Sequence, residues 1–156
     1  MRVALFQPDM AANVAAIIRL AACFDVPLAI VEPCGFVWDE RRLRRVGLDY
    51  LRHARLARFA SWSAFDASRR GAGERLVLLT TRAERAYHEV SYRADDVLMV
   101  GRESAGAPAL VHAAADLAVR VPMAPGRRSL NVVTALAVVL SEALRQTGRL
   151  AERRPP

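Results

Sequence analysis

Short apolar runs recur along the chain: Val3–Phe6, Pro27–Val31, Leu76–Leu79, Val97–Val100 and Leu117–Val121, with a weaker one at Arg55–Phe59. Continuous apolar runs of this length, rather than strict alternation, are what strands buried on both faces look like. Helical patterns lie between them. Asn13 caps a helix whose apolar positions include Ile17, Ile18, Ala21 and Ala22. Arg19 sits among these, six residues after Asn13 and so on a different face. Ser61 caps Trp62–Arg70, and Gly71-Ala-Gly73 ends it. Pro108 can start a helix to Ala115. Arg85–Tyr92 reads as loop, with His88 at the surface. Alternating strands and helices predict a single-domain α/β fold over residues 1–150, a parallel sheet with helices on both faces. Residues 151–156 read as a frayed tail.

Two glycine-rich segments interrupt this rhythm. Val100 runs straight into Gly101-Arg-Glu-Ser-Ala-Gly106, a loop at the C-terminal end of a strand, where α/β proteins bind ligands. It is neither a dinucleotide fingerprint nor a phosphate loop, because the glycine spacing and the Gly-Lys-Ser/Thr sequence are missing. The second segment runs from Val121 through Pro125, Gly126, Arg127, Arg128 and Ser129 to Asn131. The helix that follows has Val132, Val133, Ala135, Leu136, Ala137, Val138, Val139 and Leu140, apolar nearly all round. A helix of that kind is buried on several sides. Ser129 or Asn131 can cap it, and Arg145, Gly148 and Arg149 suit its far end. Two guanidinium groups beside the free amides of a helix start make an anion or ligand site; the alternative is a core helix with an ordinary cap.

Charge changes the picture further. The 156 residues carry a net charge of +7, and all 23 basic residues are Arg. A GC-rich coding sequence accounts for Arg over Lys but not for the surplus, which favours a polyanionic partner. Without Lys there is no Schiff-base chemistry. Asp39–Val46, with Arg41, Arg42, Arg44 and Arg45, reads as a short helix dense in Arg, either an RNA-facing patch or a solvated face. No apolar run reaches the ~18 residues of a membrane span, and the N-terminus turns polar too soon for a secretory signal. Cys23 and Cys34 read as reduced thiols of a cytoplasmic protein. No Cys/His cluster has metal-ligand spacing and no Ser-His-Asp order stands out, so hydrolysis by a metal or a triad finds little support.

Leu79–Arg82, Gly101–Gly106 and Val121–Asn131 all follow strands, so they can converge. In order and spacing, Asn13 with Arg19, the Gly101–Gly106 loop, and Val121-Pro-Met with Arg128-Ser-Leu-Asn131 resemble the three motifs of the SPOUT methyltransferases. Glu32-Pro-Cys-Gly-Phe-Val-Trp-Asp39 with Arg42–Tyr50 is similar to the subfamily that methylates the ribose of the tRNA wobble nucleotide, cytidine or uridine 34. The resemblance runs from Val3 to about Gly148. It implies a C-terminal deep trefoil knot, a homodimer, and S-adenosylmethionine as methyl donor with no metal. It also implies cofactor contacts at Leu79, Gly101, Val121 and Ser129, with Leu130 beside them. Glu103 and Asn131 match motif residues near the site, and Arg19 matches the position that activates the ribose hydroxyl. Asn13, Arg41, Arg42, Arg44, Arg45 and Arg128 are the expected RNA contacts, with an anticodon loop, of leucine tRNAs, as the partner. Arg102, Val14-Ala-Ala16 and Ser141 depart from the family pattern, chiefly on the RNA side.

Guanidinium does not readily give up a proton, so stabilising the developing alkoxide is a better role for Arg19 than acting as a base. Two other functions fit the same surface: methylation of a different tRNA or rRNA ribose, and RNA binding without catalysis. The second needs neither the Gly101–Gly106 loop nor Ser129 at a helix start.

Overall fold

The computed structural model describes residues 1–39, 50 and 52–150. Six strands form one sheet: β1 (Arg2–Phe6), β2 (Leu28–Val31), β3 (Leu56–Phe59), β4 (Arg75–Leu79), β5 (Asp96–Val100) and β6 (Leu117–Val119). Their spatial order is β3-β2-β1-β5-β4-β6, and every pairing is parallel. Among the described residues four α-helices cover it: α1 (Ala11–Cys23), α2 (Trp62–Gly71), α3 (Ala109–Ala114) and α4 (Val132–Gln146). The apolar runs are strands because both of their faces are needed. Val3, Leu5, Leu28, Ile30, Leu98 and Val100 pack with α1 and α4. Their neighbours in sequence, Ala4, Phe6, Ala29, Val31, Val97 and Met99, pack with Phe65 of α2 and Val111 of α3. The expected architecture, with helices on both faces, is therefore observed. Among the described residues no helix is long and apolar enough to cross a membrane.

Most boundaries move by a residue or two. Ser61 caps α2 as expected, its hydroxyl accepting from the Ala64 amide at 3.2 Å. Of the two candidate caps for α4, Asn131 does the work, accepting from the amides of Val133 and Thr134 at 2.9 and 3.4 Å. This helix runs on to Gln146, and only its inward stripe (Leu136, Val139, Leu140, Ala143 and Leu144) is fully buried.

Asn13 is a correction. It does not cap α1: the helix already begins at Ala11, Met10 holds the cap position without a side-chain bond, and Asn13 lies inside the first turn. Its amide is engaged by groups from elsewhere in the fold. The helix expected over Asp39–Val46, with Arg41, Arg42, Arg44 and Arg45, and the tail at 151–156 lie outside the described residues.

The chain reaches the sheet edge at β6 and then turns back. Residues 120–131 lead from that edge to α4, which packs on β5 and α1. The return carries the last segment past the C-terminal ends of β4 and β5, where the loops after both strands open.

Candidate active site

A cavity of about 530 Å³ lies at this C-terminal edge, within the range of small-molecule sites. The loop after β5 forms one wall. Arg102 and Gly106 exchange backbone hydrogen bonds at 3.1 and 2.9 Å, closing the loop on itself. Gly106 takes the left-handed conformation, with φ +67°. Gly101 has a different reason to be glycine: a Cβ there would fall on the Ala107 amide nitrogen and the Gly106 carbonyl carbon. No side chain fits unless the loop opens.

Three polar side chains tie the walls together. Glu103 Oε2 accepts from the Asp9 amide at 2.8 Å, and its Oε1 accepts from Asn13 Nδ2 at 2.9 Å. Asn13 Oδ1 in turn accepts from Asn131 Nδ2 at 3.3 Å. The loop after β1, the loop after β5 and the start of α4 are thus joined through one carboxylate and two amides. Asn13 is only 9% exposed, and buried amides of this kind are costly unless bonded. Asp9 closes the ring from outside. Hydrogen bonds from the Ser104 hydroxyl and amide, with Arg102 adding its charge, hold its carboxyl below the usual carboxylate range.

The cavity gathers nearly every residue the sequence singled out and could place. Leu79, Gly101, Val121, Ser129 and Leu130 line it, as do Asn13, Glu103, Arg128 and Asn131. Arg19 does not. It is exposed on α1, with its guanidinium carbon 5.2 Å from the ring centroid of Tyr50. Sequence reasoning missed Met10, His112 and Arg120, used Thr80, Thr81, Arg82, Ala105 and Met123 only as part of strand-end segments, and noted Arg102 only as a departure from the family pattern. Met10, Ala105 and Met123 carry no chemical signature, and only the fold brings them here.

The profile of the SpoU rRNA Methylase family matches residues 1–141. The chain belongs to this family. It is an enzyme family, and its members share the parallel-sheet SPOUT fold. A tRNA (cytidine(34)-2'-O)-methyltransferase from Beijerinckia indica is 50% identical over 149 residues, 96% of this chain and 93% of the relative. The enzyme of that name from Escherichia coli K12 is 41% identical over 95% of this chain and 94% of its own length. Among solved structures, one giving insights into the 2-OH methylation of C/U34 on tRNA superposes with a TM-score of 0.87. It is 34% identical, and the match covers 93% of this chain and 94% of that one. An AdoMet-bound rRNA methyltransferase from Sinorhizobium meliloti also gives 0.87 at 26% identity, covering 97% of this chain and 57% of the other.

Within the SpoU family frame, the sequence motifs and the cavity fall together. The Gly101–Gly106 loop, the Val121–Asn131 segment and the first turn of α1 form three sides of one site.

Proposed function

We propose that this protein is an S-adenosylmethionine-dependent 2'-O-methyltransferase acting on the wobble nucleotide, cytidine or uridine 34, of tRNA, with leucine tRNAs as the expected set. One observation carries the substrate: relatives named for this reaction match this chain over 93–94% of their own length. A compact enzyme can address an exposed anticodon loop, because unstacked loop nucleotides offer base edges and ribose to a protein. The enzyme works in the cytoplasm, where its substrate is.

The residues at the cavity fit the cofactor. Leu79, Val121 and Leu130 offer apolar surface for a flat heterocycle, while Gly101 and Ser129 bring backbone and hydroxyl groups close. When bound, S-adenosylmethionine supplies a methyl group already activated on sulfonium. The protein's share is then mainly positioning, which can contribute about 7–11 kcal/mol. Glu103, Asn13 and Asn131 hold the walls at fixed separation. Arg128 faces the RNA, with Arg41, Arg42, Arg44 and Arg45 reaching stem phosphates, and these contacts set register rather than sequence. Asn13, its amide spent on Glu103 and Asn131, serves the frame instead of the RNA. The last helix threads a trefoil knot.

Arg19 stabilises the developing alkoxide on the ribose. It lies outside the cavity of its own chain, so it acts from a second copy, and the enzyme is a homodimer. Half-buried Leu20 on α1 and Phe24 at its C-terminal cap, with Val132 and Val133 on α4, supply apolar surface for that contact.

The test is to incubate purified protein, labelled cofactor and total tRNA from a strain lacking the gene, and to map the methyl group by mass spectrometry. The expected product is 2'-O-methylated nucleotide 34. A methyl on a base, or on a ribose outside the anticodon loop, would refute the substrate.

A further inference from the structure

Arg102 places in the cavity wall a charge that the reaction as described leaves unused. Its backbone is pinned by the two bonds to Gly106. Its Nε donates to the Gln7 carbonyl at 3.4 Å and lies 3.6 Å from Asp9 Oδ1. This ion pair is long and made through Nε alone, while the Ser104 amide and hydroxyl hold the other oxygen of Asp9, Oδ2. Glu103, the adjacent acid, does not neutralise it either, since both its oxygens are bonded to the Asp9 amide and Asn13. Both Nη groups of Arg102 are without a partner among the described residues, and the side chain is 36% exposed. An arginine tethered at Nε with its Nη pair unspent, at the rim of a cavity, is set to receive an anion with two oxygens.

We propose that Arg102 binds an RNA phosphate, the one adjoining the ribose that is methylated. This rests on the RNA-methyltransferase reading above. The chemistry of the substrate requires such a neighbour. The 2'-oxygen and the 3'-phosphate ester sit on adjacent carbons of one ribose, so no site can take the hydroxyl without bringing the phosphate to its rim. Holding the phosphate at that rim fixes the ribose relative to the cavity without touching the base. The Nε tether lowers the entropy lost on binding, as a pre-organised side chain should. A carboxylate from the cofactor has the same chemistry and is the competing occupant.

The experiment measures affinity for a labelled anticodon stem–loop against salt, for wild type, Arg102→Gln and Arg102→Lys, with cofactor affinity by calorimetry alongside. Each phosphate contact contributes about 0.7–0.9 to the slope of log affinity against log salt, so Arg102→Gln should lower the slope by about that amount. It should also weaken RNA binding roughly tenfold near 0.1 M salt and leave cofactor affinity within twofold. Arg102→Lys, which keeps charge but loses the fork, should fall between. An unchanged RNA affinity and slope would overturn the proposal. So would a loss of cofactor affinity, which assigns the guanidinium to the cofactor carboxylate, or a lowered melting temperature with both affinities reduced, which makes the residue structural. If wild type itself fails to bind the stem–loop, the wobble assignment falls and this proposal with it. If wild type binds and Arg102→Gln binds equally well, only this proposal falls.

Discussion

The two ends of the sheet treat charge in opposite ways. At the N-terminal ends of the strands the buried charged side chains pair with one another, although Arg2 Nε is buried without a partner among the described residues. Asp96, fully buried, receives Arg75 Nε and Nη2 at 2.7 and 2.8 Å and the Arg93 amide at 2.8 Å. Arg69, 3% exposed, is taken up by Asp66, Asp116 and the Ala114 carbonyl. Arg2 meets Glu74 at 2.6 Å. At the C-terminal ends the polar groups are held in place but turned toward a cavity: Asn13, Glu103 and Asn131 form a bonded frame, and Arg102 keeps unspent donors. Saturated pairs stabilise a fold, and unsaturated donors on a fixed frame bind something. Each end can be tested by a change that should leave the other end's property alone.

The largest effect is expected at the open end. Gly101→Val forces a branched side chain onto the Ala107 amide and the Gly106 carbonyl, so the loop must open. Cofactor heat in calorimetry should vanish while the far-ultraviolet circular dichroism stays native. Normal affinity would place the cofactor elsewhere.

Arg19 comes next, and it sharpens the comparison because it belongs to neither end. Arg19→Ala should lower kcat by about 10²–10³, as removal of a charge-stabilising donor does, with cofactor affinity unchanged. If a second copy supplies it, mixing Arg19→Ala with Gly101→Val protein should restore roughly a quarter of wild-type turnover, since half the dimers are mixed and each has one intact site. No recovery in a subunit-exchanging mixture would return Arg19 to its own chain. Light scattering giving a mass near 17.2 kDa would remove the dimer altogether.

What could be read from the sequence follows the same division. The strands were legible because they are apolar on both faces, and Ser61 because an N-cap acts on its own helix. The Gly101–Gly106 loop was legible from its position after a buried run. Asn13 was misread because an amide before an apolar stretch looks like a cap, whereas its partners, Glu103 and Asn131, are 90 and 118 residues away. Strand order has the same obstacle: nothing local to Leu117–Val119 says that it pairs with β4 at the sheet edge. Arg69 and Asp96 gave no sign of burial, since a charged residue is legible as a core residue only through its partner.

At the closed end, Asp96→Ala leaves Arg75 without its carboxylate and should cost about 3 kcal/mol, the low end for breaking a buried pair because Arg75 keeps some solvent. Urea unfolding should show the loss, and cofactor affinity of the folded variant should not change. An unchanged midpoint with weakened cofactor binding would undo the distinction between the two ends.

The smallest effect concerns how Arg19 is held. Its guanidinium carbon lies 5.2 Å from the Tyr50 ring centroid, and Arg19 is exposed, so the contact stacks a cation on an aromatic face in the presence of water. Such a contact contributes about 0.5–1 kcal/mol, which is roughly two- to fivefold in a rate. Tyr50→Leu removes the ring quadrupole and should lower kcat by that factor with KM for cofactor unchanged. Tyr50→Phe keeps the ring and should restore the rate, since the hydroxyl is not part of the contact. In an Arg19→Ala background Tyr50→Leu should do nothing further, because the two residues act as one unit and their effects do not add. An equal loss in both backgrounds would show that Tyr50 serves RNA binding or the fold rather than the guanidinium beside it.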